Sequence, residues 1–340
     1  MSMSEHATAE TAAPETTPDP APPRRRFAPR NLWQTIGPIA VFVVFFVIIG
    51  ILQPDFVGGG GLGILAIQAT SILLVALGQA MVLHVGSLDL SNAALAIFAA
   101  ILLALMLGPL GAVAPVLCLL VVTVIGAING LLVAYTQVPS FALTLGTLGI
   151  VQAASLVVSG ATTVYVTDNA AVLEPLFGTA LAGLPAAFWL AVILAALLWF
   201  LLRRTSVGQA MTAVGLNESG AIFAGIRTRW IKVLAFALSG LLAGVAGIMI
   251  IAQAGAASSF GLGSDLLLPG IAAAIVGGTS ITGGATNPLN VIFGALTITL
   301  IPIGAATLGV PPQAQSLVYG LVIIIAVALT RTRASGEIVK

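Results

Sequence analysis

Between Asn31 and Leu202 the chain contains not one Lys or Arg. Soluble domains carry about 25% charged residues, whereas only 7% of these 340 residues are charged and 59% are hydrophobic. So little polar surface could not cover the apolar side chains in water. The apolar runs have about the 20 residues that a helix needs to cross a bilayer. The sequence therefore predicts an all-α integral membrane protein with many spans.

The basic residues indicate how the chain is oriented. They occur near residues 24–30, 203–232 and 331–340. Because cytoplasmic loops collect Lys and Arg, we expect all three groups, and hence both termini, on the cytoplasmic side. An even number of spans must then separate neighbouring groups.

Apolar runs of the required length give about ten transmembrane helices, six before the middle basic group and four after it. The expected spans are 33–52, 63–84, 91–108, 112–135, 141–160, 187–202, 232–253, 266–282, 288–308 and 315–330. The third and eighth are short, which also fits broken or re-entrant helices. The polar interval 161–186 contains no basic residue, so we place it outside.

Ten such spans divide into two halves of five with opposite orientation, which predicts an inverted five-helix repeat. A Ser/Asp pair after the second span (Ser87, Asp89) and another after the seventh (Ser264, Asp265) support that prediction. We expect a disordered cytoplasmic tail at 1–30, a transmembrane domain at 31–334 and a short cytoplasmic tail at 335–340. The single cysteine, Cys118, excludes a disulfide framework and a cysteine-built metal site.

The middle basic group surrounds a loop that the pattern divides into two short amphipathic helices. Asn217 and Glu218 suit the start of the second helix, because a polar side chain and an acid are favoured there. A soluble partner protein could bind such a helix pair at the membrane surface. The alternative is a simple connecting loop that its positive charge holds inside.

Four stretches of the chain resemble one protein family in their order and residues. The loop residues Gly208, Ala213, Gly215, Asn217, Ala221, Gly225 and Ile226 resemble the cytoplasmic coupling segment of permeases in bacterial ABC sugar importers of the ribose, xylose and autoinducer types, within the branched-chain-permease-like superfamily. Gly-Ser-Leu-Asp-Leu-Ser at 86–91, the stretch 138–147 and Gly-Gly-Thr-Ser-Ile-Thr-Gly-Gly at 277–284 are similar to further elements of that family.

The resemblance implies a coupling segment at 203–231 that transmits movement from an ATPase. It assigns ATPase coupling to Gly208, Gly215, Asn217, Glu218, Ala221, Gly225 and Ile226. It assigns a translocation pathway or gate to Gly86, Asp89, Ser91, Phe141, Thr144, Gly277, Gly278, Thr279, Ser280, Gly283 and Gly284. The implied partners are an ABC ATPase subunit, a second permease chain in a homodimer, an extracytoplasmic substrate-binding protein and membrane lipid, with no nucleic acid.

Several of these residues have a second explanation. Asp89 is an acid near a helix end in a membrane, which favours function, yet Asp89 or Ser91 could simply cap a helix. Thr144, Thr147 and Gln152 could bind a polyol or form interhelical hydrogen bonds. We expect His84 at the membrane interface.

Glycine has two uses in this sequence. The irregular segment 277–284 is a candidate lining or gate, because irregular backbone at membrane depth must face protein or water. Helix packing explains Gly126, Gly130, Gly240 and Gly244, which follow a small-x-x-x-small spacing.

The sequence contains no phosphate-binding motif with which the chain could use ATP to drive transport. A phosphate-binding Gly-x-x-x-x-Gly-Lys-Ser/Thr loop is impossible, since Lys occurs only at 232 and 340 and neither follows Gly. We therefore expect no cofactor or metal on this chain, with ATP and Mg²⁺ on the partner ATPase.

The resulting interpretation is a multi-pass ABC permease of the bacterial inner membrane that moves a monosaccharide. A nucleoside, another polyol, or a secondary carrier mechanism is the alternative. A channel is the remaining class, but no stretch resembles a selectivity filter.

Overall fold

The computed structural model describes residues 30–58, 60–259, 264–309, 311, 314, 317–321 and 324. Within them the chain is mostly helical, with two small antiparallel ribbons of two-residue strands. The expected tails at 1–30 and 335–340 lie outside the described residues, apart from Arg30, and so does most of the tenth span at 315–330.

The first half of the chain contains α1 (Arg30–Leu52), α2 (Pro54–Gly58), α3 (Gly61–His84), α4 (Asn92–Leu110), α5 (Ala114–Thr136) and α6 (Ser140–Ser159). The polar interval that follows contains β1 (Val164–Tyr165), α7 (Glu174–Gly178), β2 (Ala180–Leu181) and β3 (Leu184–Pro185). The second half contains α8 (Ala186–Arg204), α9 (Ser206–Leu216), α10 (Glu218–Phe223), α11 (Thr228–Ala254), β4 (Ala256–Ala257), α12 (Leu267–Val276) and α13 (Pro288–Thr307). Short 3-10 turns occupy Gly111–Val113, Ala170–Val172 and Ser264–Leu266.

Six helical stretches in the described residues are long and apolar enough to cross a membrane. One of them, Asn92–Thr136, has 45 residues and comprises α4, the 3-10 turn at Gly111 and α5. A single crossing needs about 20 residues, so this stretch has the length of two. Shorter apolar helices lie at Ile36–Leu52 and Leu267–Val276. The prediction of a helical, multi-span membrane protein is confirmed in this coarser form.

The eighth expected span, 266–282, differs most from the observed structure. Its helix, α12, ends at Val276, six residues early, and an irregular loop follows from Gly277 to Asn287. Gly278 has φ +86°, a left-handed conformation that ends an α-helix and that glycine adopts without strain. α12 is therefore a half-length helix.

Two largely buried helices, α3 and α11, form the centre of the fold and pack against each other. α11 also packs on α4 and α5, whereas α3 packs on α12 and α13. Each central helix thus contacts mainly the helices of the other half. The inverted five-helix repeat itself stays a prediction.

Small residues allow α5 and α11 to approach closely. A Cβ atom added at Gly240 would lie 2.4 Å from the Val122 carbonyl oxygen, and one at Gly126 would lie 2.4 Å from the Phe236 carbonyl oxygen. The same is true of Gly130 and Gly244 against Val233 and Val122. The prediction that these glycines serve helix packing is confirmed.

Candidate functional site

The central basic residues flank the loop between α8 and α11: Arg203 and Arg204 end α8, Arg227 precedes α11, and Arg229 and Lys232 lie in its first turns. We call the side of the protein that carries them the basic face. The loop forms the two short helices that the sequence predicts, α9 and α10. Thr205 Oγ1 accepts a hydrogen bond from the Gly208 N–H at 3.1 Å at the start of α9, and Asn217 Oδ1 accepts one from the Gly220 N–H at 3.0 Å at the start of α10. These caps satisfy N–H groups that a helix leaves unpaired. The 203–231 coupling segment is therefore locally ordered.

Four glycines meet where α9 ends, and we call them the glycine junction: Gly86, Gly215, Gly283 and Gly284. A Cβ added at Gly215 would lie 1.9 Å from the His84 carbonyl oxygen and 2.5 Å from the Gly284 nitrogen. The Gly284 N–H donates to the same His84 carbonyl at 2.9 Å. Gly283, at φ +93°, approaches both Gly215 and Gly86. Backbone contact at this distance requires glycine, and it joins three of the four sequence stretches that resemble the permease family.

The connection between α3 and α4, residues 85–91, is held by a buried carboxylate. Asp89 is 0% exposed. Its Oδ1 accepts from the Ser91 N–H at 3.0 Å and the Ser91 hydroxyl at 2.6 Å, and its Oδ2 accepts from the Ser239 hydroxyl of α11 at 2.8 Å. Burial raises the pKa of this carboxyl, and its hydrogen bonds from Ser91, Ser239 and the Asn92 backbone oppose that shift. Charge-assisted hydrogen bonds of this kind are about twice as strong as neutral ones.

Further side chains extend this network to other helices. Asn92 of α4 donates to the Ser239 hydroxyl at 2.6 Å, and Asn129 of α5 donates to the Ser91 hydroxyl at 3.0 Å. Gln79 of α3 donates to the Asp89 carbonyl at 2.6 Å. The start of α4 is therefore fixed to α3, α5 and α11 by groups that water does not reach.

The start of α6 holds the same connection from another side. The Leu88 N–H donates to the Ser140 hydroxyl at 2.9 Å, and the Leu90 N–H donates to the Thr144 hydroxyl at 3.0 Å. Thr147 donates to Asn129 Oδ1 at 2.8 Å. Of the two uses that the sequence left open for Thr144 and Thr147, the structure shows hydrogen bonds between segments. Phe141 points away from these contacts and is 54% exposed.

The loop after α12 is closed by its own hydrogen bonds. The hydroxyls of Thr279 and Thr286 lie 2.6 Å apart, and the Ser280 N–H donates to the Ala285 carbonyl at 2.9 Å. Gly277 packs against α13, where an added Cβ would lie 2.6 Å from Val291 Cα. The loop thus reaches the glycine junction as an ordered unit.

Two further contacts near the basic face were not indicated by the sequence. His84, expected at the membrane interface, is the last residue of α3 and is buried, and its Nε2 lies 3.0 Å from the Thr212 hydroxyl of α9. The same hydroxyl lies 2.9 Å from the Gly208 carbonyl oxygen of its own helix. Lys232 of α11 forms an ion pair with Glu218 at 2.7 Å.

The remaining coupling residues shape α10 and its end. Ala221 is buried and its carbonyl accepts from the Ile226 N–H at 3.0 Å, while Gly225 has φ +79°. Gly208 packs on α8, where an added Cβ would lie 2.2 Å from the Leu201 carbonyl oxygen. These contacts turn Ile222 and Phe223 outward, with exposed fractions of 56% and 92%.

The structure therefore brings most of the predicted pathway residues to one place, as a packed junction rather than an open lining. Ser140, Asn129 and Ser239 complete it but were missed by the sequence analysis. Ser140 lies in the stretch 138–147 that resembles the permease family, whereas the only signal for Asn129 and Ser239 was a polar side chain within an otherwise apolar helix, which occurs at many other positions.

A multi-span helical protein whose surface helices are packed onto its transmembrane connections is organised as the membrane component of a transport system. Comparison with known proteins agrees. The family model described as "Branched-chain amino acid transport system / permease component" matches residues 61–327, and the chain belongs to this family. It is an inner-membrane permease component and not itself an enzyme, since ATP hydrolysis belongs to the partner ATPase.

Characterised relatives cover most of the chain. The D-allose transport system permease protein AlsC of Escherichia coli (strain K12) is 33% identical over 306 residues, which is 88% of this chain and 92% of the relative. The Autoinducer 2 import system permease protein LsrC of Escherichia coli (strain K12 / DH10B) is 32% identical over 292 residues, 85% of this chain and 84% of the relative. The LsrC protein of Salmonella typhi is 32% identical over 289 residues, 84% of this chain and 82% of the relative. No solved structure matches the chain.

Proposed function

We propose that this chain is the transmembrane permease of an ABC importer that moves a monosaccharide across the inner membrane. The observation that carries the proposal is the glycine junction, where the coupling segment touches both the 85–91 connection and the 277–287 loop through the backbone. A displacement of α9 must therefore displace the ends of α3 and α12. Such an arrangement converts a push on the basic face into movement of transmembrane helices.

The proposed assembly rests on two features: the sequence has no phosphate-binding loop for ATP, and α9 and α10 lie together on the basic face. We propose a homodimer of permease chains with two ATPase subunits on the basic face, an extracytoplasmic binding protein on the opposite face, and lipid around the apolar helices. ATP and Mg²⁺ bind the ATPases. Both termini lie in the cytoplasm, and ten spans form the domain 31–334 between the tails 1–30 and 335–340.

The contact with the ATPase is better explained by apolar side chains than by Glu218 alone. Glu218 is bound to Lys232 within the chain, whereas Phe223 is 92% exposed at the end of α10. An exposed aromatic residue next to Ile222 is typical of a contact between proteins. We propose that Phe223 anchors α10 in a groove of the ATPase.

Paired substitutions test this contact. Phe223→Ser should reduce copurification of the ATPase by about ten-fold or more, as expected for the loss of a buried aromatic anchor. Tyr165→Ser is the matched control, because Tyr165 is an exposed aromatic in the interval between α6 and α8 that we place outside. Unchanged copurification of the Phe223 variant would contradict the proposed contact. Charge reversal at Glu218 tests that residue separately.

Reconstitution distinguishes the importer from the alternatives. The chain is placed in proteoliposomes alone, and in parallel with its ATPase and binding protein, and uptake of D-allose, a nucleoside and L-leucine is measured with and without ATP. The proposal expects D-allose uptake that requires ATP and both partners. Gradient-driven uptake by the chain alone would identify a secondary carrier instead, and ATP-driven uptake of the nucleoside or of L-leucine would change the solute.

A further inference from the structure

One cavity of the chain lies apart from the glycine junction. It has a volume of about 80 Å³ and opens between α4, α6 and the start of α12. Its lining comprises Ala93, Ala94, Ile97, Leu148, Gln152, Ser155, Ser259 and Leu267. All eight side chains are uncharged, and three of them can form hydrogen bonds.

The cavity lies within the depth of the membrane. Gln152 occurs in the middle of α6, which spans Ser140–Ser159. α12 begins at Leu267, and its Gly270 packs against Val75 in the middle of α3. A half-length helix that begins at this depth is characteristic of solute sites in transporters built from inverted repeats.

The polar groups of the cavity retain free hydrogen-bonding capacity within the described part of the chain. Gln152 is exposed in the isolated chain, and its amide has no hydrogen-bond partner among the described residues. The Ser259 hydroxyl is buried and likewise unpartnered within the described part of the chain. Ser155 donates only to the Val151 carbonyl of its own helix at 2.8 Å, which leaves its oxygen able to accept. An unpaired amide in lipid is costly, and Gln152, unlike the exposed Gln68 of α3, has the cavity with two serine hydroxyls beside it.

We infer that this cavity is a subsite of the translocation pathway, where Gln152, Ser155 and Ser259 bind the hydroxyl groups of an uncharged polyhydroxyl solute. The inference rests on the proposed import function and specifies its solute class. An amino acid would bring two charges into a lining that has no charged side chain, and burying unpaired charges costs much more than burying hydroxyls. The cavity volume equals that of about two to three water molecules in the liquid. In this conformation the cavity therefore accommodates one edge of a sugar ring rather than the whole ring.

Thiol labelling tests the subsite directly. The native Cys118 is fully buried, so Gln152→Cys introduces one accessible thiol, and Ser259→Cys introduces one thiol that lines the cavity. Gln68→Cys is the matched control, since Gln68 is an exposed glutamine of α3 outside the cavity. The complex with ATPase and binding protein is placed in nanodiscs, and the rate of methanethiosulfonate labelling is measured with D-allose, with L-leucine or with neither.

D-allose should slow labelling at positions 152 and 259 and leave position 68 unchanged, whereas L-leucine should protect none of them. Protection by L-leucine, or unprotected thiols at both cavity positions in a complex that imports D-allose, would overturn the subsite. Absence of D-allose uptake by the unmodified complex would instead contradict the proposed function, and this is measured first.

Transport provides a second measurement. Gln152→Leu removes the amide at nearly constant size and should reduce D-allose uptake about ten-fold, the effect of one lost hydrogen bond of typical strength. Gln152→Asn should recover part of the rate, and Gln68→Leu should leave it unchanged. Equal uptake by the Gln152→Leu variant and the unmodified protein would contradict the assignment.

Discussion

Two connections follow the central helices, since α3 leads to α4 and α11 leads to α12. The described residues of these two connections differ in how their polar groups are bound. In the first, Asp89 is 0% exposed and bound by Ser91 and Ser239. In the second, Ser259 has no hydrogen-bond partner among the described residues and lies beside a cavity. A satisfied polar network rigidifies its surroundings, whereas unused polar groups remain available to a solute. The comparison indicates that the 85–91 connection is a rigid element, whereas the polar groups beside the cavity remain open to a hydrogen-bonding partner.

The largest loss of stability is expected for the substitution of Asp89, at the centre of the 85–91 connection. Asp89→Ala should lower the free energy of unfolding by about 3–5 kcal/mol, because several buried donors lose their shared acceptor together. Denaturation followed by tryptophan fluorescence measures it. Asp168→Ala is the control, since Asp168 is exposed and accepts only from Thr167. Equal stability of the two variants would remove the proposed difference between the connections.

The next largest effect is expected for a substitution in the glycine junction. Gly215→Ala should reduce the free energy of unfolding by about 1–3 kcal/mol through overpacking, because the new methyl group meets the His84 carbonyl and the Gly284 nitrogen. It should also reduce ATP-driven uptake more than it reduces ATPase binding. Gly146→Ala has open space around its Cβ and should be tolerated. A Gly215→Ala protein with unaltered uptake would exclude the junction as the transmitting contact.

Ser239→Ala should have a smaller effect. It removes one hydrogen bond to Asp89 and one from Asn92, which corresponds to about 1–2 kcal/mol of unfolding free energy. Thr299→Ala is a suitable control, because that buried hydroxyl donates only to the Ala295 carbonyl of its own helix. If both substitutions lower the free energy of unfolding equally, the hydrogen bond between Ser239 of α11 and Asp89 contributes no more to stability than a hydroxyl bonded within its own helix.

The smallest effect on stability is expected at Ser259. Ser259→Ala removes no hydrogen bond to the described part of the protein, so the free energy of unfolding should change by less than about 0.5 kcal/mol. Uptake of D-allose should nevertheless fall. A clear loss of stability would show that Ser259 is structural and that the two connections are alike.

Most of the described membrane-length helices could be predicted from the sequence to within a few residues, the half-length α12 could not, and the site could be predicted only in part. Proline and glycine bound the apolar runs around α5 and α6, and Asn217 carried a recognisable capping signal that the structure confirms. The bond between Asp89 and Ser239 could not be predicted, because it joins residues 150 positions apart and a serine in an apolar helix gives no indication of its partner. The early end of α12 depends in the same way on packing against α13.

The backbone contacts of the glycine junction have a consequence for the conditions under which the transporter works. The contact between Gly215, the His84 carbonyl and the Gly284 N–H involves no ionised group, so neither ionic strength nor proton concentration acts on it directly. The nearby ion pair of Glu218 and Lys232 is partly exposed and is weakened by added salt. A change in the salt content around the basic face would therefore weaken the ion pair and leave the backbone contact between α9, the end of α3 and the 277–287 loop unchanged.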